Sequence, residues 1–177
     1  NQFTYDTLLR MPDMASPRSP KELNLPLMKR FEVGHVLAKD EWEDPNMQIA
    51  IAAGYEPIND IGHRHFDQNS FQLTVGDERM LVDPGHCCYR LKSQKKSVHE
   101  TSHNLASILY QGELLEQRAV EGQVFARKPV YNKLIAAENV NGITVVISDG
   151  TDLYPAPVKK AVRIWLMRLP DMVLVID

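Results

Sequence analysis

Cysteine is almost absent, aromatic residues are few, and no long apolar run occurs. The only cysteines, Cys87 and Cys88, are neighbours. Adjacent cysteines can close only a small strained ring, so a disulfide framework is excluded. No hydrophobic stretch approaches the ~20 residues that a membrane-spanning helix needs. Charge of one sign is also lacking, because 20 Lys+Arg against 23 Asp+Glu leave a net charge of −3. That balance gives no global attraction for nucleic acid or anionic lipid. What is present is 44% hydrophobic residues in 177 positions, enough for one ordinary core and too much for a disordered tail.

The chain begins at Asn1, which is neither an initiator methionine nor the start of an export signal. Its last residues, 172–177, are an apolar, β-branched run that stops without a turn. Both ends lead to the expectation of a piece of a longer protein, truncated at the C-terminal side. Residues 1–30 carry Pro12, Pro17, Pro20 and Pro26 among polar residues, which rules out a long helix and marks a linker or wrapping arm. Within it, only residues 3–11 are expected to make a helical turn or two.

From Phe31 onward, short apolar runs alternate with Gly, Asn and Asp. Residues 47–51, 71–75, 105–110 and 145–147 read as strands, and Asn141-Gly142 reads as a tight hairpin turn. Residues 163–169 alternate in a way that places Ile164, Leu166 and Leu169 against a core, before Pro170-Asp171 turns the chain. No amphipathic helix is expected beyond Phe31. The pattern predicts an all-β, antiparallel sandwich over residues 31–177.

Five of the six histidines, His63, His65, His86, His99 and His103, fall in one stretch of 41 residues. In Gly62-His63-Arg64-His65-Phe66-Asp67, extended backbone would turn the two imidazoles to one face. A two-residue turn at Gly76-Asp77 would pair Val75 with Glu78, Leu73 with Met80, Phe71 with Val82 and Ser70 with Asp83. Phe71, Leu73, Met80 and Val82 would then share a face, with Asp83 at the open end near His65. A strand starting at Leu105 would bring His103 to the same edge. Two imidazoles and a carboxylate suit zinc, which takes three or four such ligands at ~2.0–2.2 Å. The metal reading therefore selects His65, Asp83 and His103.

Plainer readings stand beside it. His63 and His65 also fit a solvated strand edge, Asp67 a loop acceptor, and Asp83-Pro84-Gly85 an ordinary turn. His86 and His99 read as surface residues, His35 as a partly buried strand residue, and Cys87 and Cys88 as small packing groups. Lys92, Lys95 and Lys96 read as a solvated loop, and Trp42 and Trp165 as core or sandwich-edge residues rather than sugar platforms.

Four segments together carry a resemblance. Gly62-His63-Arg64-His65-Phe66-Asp67, Ser70-Phe71-Gln72-Leu73, Leu81-Val82-Asp83-Pro84-Gly85 and Thr101-Ser102-His103-Asn104 are similar, in order and spacing, to the heparinase II/III-like polysaccharide lyases. The resemblance implies a large β-sandwich of the supersandwich type, which in the family follows an α/α toroid that this chain lacks. It implies a structural zinc on His65, Asp83 and His103, a substrate-facing catalytic His63, and Asp67 and Asn104 as outer partners of the ligands. The implied reaction is β-elimination on an acidic, uronate-containing polysaccharide in a periplasmic or secreted enzyme. The catalytic Tyr would lie in the toroid, so the fragment is expected to be inactive alone. A cupin-like metal-binding sandwich and a non-catalytic carbohydrate-binding module are the alternatives.

Overall fold

The computed structural model describes residues 18–54, 65–118 and 130–177. The expected helical turns at residues 3–11 lie outside them. A first antiparallel sheet takes five strands in sequential order: β1 (Met28–Arg30), β2 (His35–Lys39), β3 (Met47–Ala52), β4 (Phe71–Val75) and β5 (Glu78–Leu81). A helix of one turn and a little more, α1 (Ser93–Ser97), and a 3-10 turn at Glu100–Ser102 follow. After a small ribbon, β6 (Leu109–Tyr110) and β7 (Glu113–Leu114), comes a second antiparallel sheet. Its strands are β8 (Lys133–Val140), β9 (Ile143–Asp149), β10 (Val162–Arg168) and β11 (Met172–Ile176), again neighbours in chain order.

Alternation writes the core. Val36, Ala38, Ile49, Ile51 and Ala53 from the first sheet meet Val146, Trp165 and Met167 from the second in one buried cluster. Two sheets packed through facing apolar residues make the sandwich, and the all-β expectation is met. Leu153 and Tyr154 centre a smaller cluster with Phe66, Ile108, Leu115 and Val130.

The turns behave as their residues require. Asn141 and Gly142 both take positive φ, 52° and 81°, and Val140 pairs with Ile143 across them, as a two-residue hairpin of the right twist demands. Gly34 is held at φ +86° against Gly54, where a Cβ would stand 2.3 Å from a backbone carbon. Gly34→Ala therefore meets both a forbidden backbone region and a clash. Its cost should exceed about 1 kcal/mol in urea unfolding; an unchanged midpoint would contradict the close approach.

Three details differ from the sequence reading. On β10 the core face carries Trp165 and Met167, while Ile164 and Leu166 lie half-buried on the other side. Arg163 shares the inner face, which a rule placing charge outward could not anticipate. Across β4 and β5, Val75 does oppose Glu78, but Thr74 then pairs with Arg79 and Leu73 with Leu81. Met80 is the extra residue of a bulge, and both Met80 and Val82 are exposed. Finally, the strand expected at residues 105–110 is reduced to Leu109–Tyr110, and the lysine-rich loop contains α1.

Candidate metal centre

His65, Asp83 and His103 come from three separate segments and meet at one end of the first sheet. The segment after His65 is sewn to β3 by backbone bonds: Asn69 N–H donates to the Ala52 carbonyl and Ala52 N–H to the Ser70 carbonyl, both at 2.9 Å. Phe66 N–H donates to Val98 O at 2.8 Å, which ties the same segment to the end of α1. Asp83 lies two residues beyond the end of β5. Its Oδ1 accepts the Gly85 N–H at 2.8 Å, so the Asp-Pro-Gly turn fixes the carboxylate and leaves Oδ2 for another partner. His103 leaves the 3-10 turn, with its N–H on the Glu100 carbonyl at 3.1 Å.

One ligand-capable atom of each residue lies within 4.8 Å of the other two. His103 Nδ1 stands 2.6 Å from Asp83 Oδ2, and its side chain is fully buried. Its Nε2 is buried with no hydrogen-bond partner among the described residues. A buried ring nitrogen left unmatched is costly; the other nitrogen, Nδ1, is the one that faces the Asp83 carboxylate. The His65 and His103 ring centroids are 5.3 Å apart. The donor set of two imidazoles and a carboxylate oxygen fits a divalent transition metal.

Electrostatics favour the neutral, ligating form of His65. Burial lowers its pKa below the usual 6.5, and the neighbouring His103 and His86 push the same way, against the Asp83 carboxylate. The open side of the centre is a cavity of about 360 Å³, bounded by His35, His65, Asp67, Gln72, Asp83 and His86 among others. Burial lowers the His35 pKa as well.

These shifts set a pH dependence for the metal-free protein. As pH falls below 6.5, the unfolded chain takes up protons at His35 and His65 before the folded chain does, so stability falls. Glu100, held above the usual carboxylate pKa chiefly by burial, acts in the opposite sense. Urea unfolding of chelator-treated protein should therefore give a lower midpoint at pH 5.5 than at pH 7.5. A midpoint higher at pH 5.5 than at pH 7.5 would contradict the lowered pKa values of His35 and His65.

The predicted residues are placed as follows. His65, Asp83 and His103 are brought together, and Asp67 borders the same cavity. Asn104 turns its amide to the backbone, donating to Phe71 O at 2.8 Å and Val82 O at 3.2 Å, and so holds the ligand loop to the ends of β4 and β5. His63 lies outside the described residues. His86, exposed as expected, nonetheless stacks toward His65 with ring centroids 6.3 Å apart. The cavity-lining roles of His35 and His86 were missed, and only their nearness in sequence to Gly34 and to the Asp-Pro-Gly turn hinted at them.

Residues 28–177 match the heparinase II/III-like, C-terminal family. The chain belongs to that family. Comparison with curated proteins finds no match. The heparinase II/III-like match begins at Met28, the first residue of β1, and runs through both sheets. It therefore covers every element that builds the candidate metal centre.

Proposed function

We propose that this heparinase II/III-like domain is the zinc-bearing sandwich half of a polysaccharide lyase that cleaves uronate-containing polymers by β-elimination. The observation that carries the reading is the convergence of His65, Asp83 and His103 beside an open cavity in a domain of this family. His65, Asp83 and His103 would hold the zinc, which supplies a structural cross-link between three chain segments. Asp67 and Asn104 support that frame, Asn104 through the backbone it pins.

In such an elimination the C5 proton of the uronate leaves to a base, the C4–O4 bond breaks, and a C4–C5 double bond forms as O4 takes a proton. Neutralising the uronate carboxylate lowers the cost of the charge that develops at C5. His63, two residues before a ligand, is the residue of this chain proposed to face the uronate, by hydrogen bond or proton transfer. The remaining acid/base groups belong to the proposed α/α toroid partner, in a periplasmic or secreted enzyme.

The test is to incubate the full-length protein with heparin, alginate and chondroitin polymers and follow the ultraviolet absorbance of the unsaturated product. Turnover on one of them, lost in His63→Ala with zinc content kept, is the expected result. Metal binding without product from any uronate polymer would instead favour a cupin-like or carbohydrate-binding module.

A further inference from the structure

We propose that Arg163 and Asp177 form a clamp on the opposite sheet that sets the position of the metal ligands; the proposal rests on the metal-centre reading above. Arg163 sits on β10, only 6% exposed. Its Nε and Nη2 grip the Asp177 carboxylate at 2.5 and 2.7 Å. Its Nη1 donates to two backbone carbonyls, Asn69 O at 2.9 Å and Asn104 O at 2.8 Å. Asn104 is the residue after the ligand His103. Asn69 closes the short segment that begins at the ligand His65.

One guanidinium thus ties both histidine-bearing segments to a single point of the second sheet. The Asn69 side chain repeats the tie, because its Oδ1 accepts from Asn132 Nδ2 at 2.6 Å and from the Ser148 hydroxyl. The planar fork matters, since it serves a carboxylate on one edge and two carbonyls on the other, which a point-charge ammonium cannot do. Asp177 compensates the buried charge. Without the clamp, the loop carrying His103 keeps its Asn104 bonds to β4 and β5 but loses its anchor to β10. Arg163 is a positioning residue that touches no ligand ring itself.

Outer partners of metal ligands typically account for ~10–100-fold in metal affinity. The test measures zinc affinity by chelator competition in full-length wild type, Arg163→Lys, Arg163→Met and Asp177→Asn, with Val146→Ala as a core control remote from the ligands. Cobalt-substituted protein adds a visible spectrum that reports ligand geometry. The expected result is a tenfold or greater loss of affinity and an altered cobalt spectrum in the Arg163 variants, lysine giving no rescue, with both properties retained in Val146→Ala. Wild-type affinity and spectrum in Arg163→Lys, or an equal loss in Val146→Ala, would overturn the clamp alone. A wild-type protein that takes up no metal would overturn the metal-centre reading and the clamp with it.

Discussion

Alanine at His103 is expected to weaken zinc binding by more than about 100-fold, beyond what is lost when only an outer partner of a ligand is removed. Its imidazole is fully buried against Asp83, so its removal leaves that carboxylate without its ring partner. Because metal binds the folded chain and the unfolded chain lacks the assembled site, the loss also appears in stability. Free zinc at a hundred times the dissociation constant is expected to stabilise the wild type by about 2.7 kcal/mol, or roughly 5–10 °C in Tm for a chain of this size. That metal-dependent rise should vanish in His103→Ala. Asp83→Asn, which keeps the side-chain volume, should lose most of it too. A variant at either position that keeps stoichiometric zinc and the full thermal response would remove that residue from the ligand set. Differential scanning calorimetry with and without metal reads both effects.

Trp165→Ala is the substitution expected to cost most in the core, about 3–5 kcal/mol. The ring is fully buried between the sheets, meets Phe71 edge-on at 6.3 Å and has the Arg163 guanidinium 5.9 Å from its centroid. Ile164→Ala, one position earlier on the opposite face, should cost about 1 kcal/mol, as common for partly buried positions. The pair forms a direct test of which face of β10 enters the core. If Ile164→Ala proved the more damaging in urea unfolding, the register of the second sheet would be wrong.

That register marks the boundary between what sequence patterning reveals and what it does not. Residues 164–167 are apolar on both faces, so nothing in the alternation itself opposed placing Ile164 and Leu166 against the core, where the structure puts Trp165 and Met167. The answer turned on a salt bridge to Asp177, fourteen positions along the chain, and such a partner has no local signature. The bulge at Met80 is a similar case, for the Gly76 turn was legible from its glycine while the extra residue further along was not. The convergence of His65, Asp83 and His103 was more legible. Asp83 follows a strand whose turn was recognisable, and the bulge displaced Met80 without separating Asp83 from His103. The order of the four motifs, three of them bearing histidine or aspartate, resembled the family that the match over residues 28–177 shows. What stayed hidden was the support. Asn69, Asn132, Ser148 and Arg163 form a buried polar network, and these residue types carry no pattern in sequence that distinguishes a core position from a loop.

His65, Asp83 and His103 are proposed to hold one divalent ion. Anomalous diffraction at the zinc edge from crystals of the full-length protein tests it most directly. A single strong peak within bonding distance of one atom from each of the three side chains is expected. A peak elsewhere, or none there in crystals grown with zinc, would contradict it.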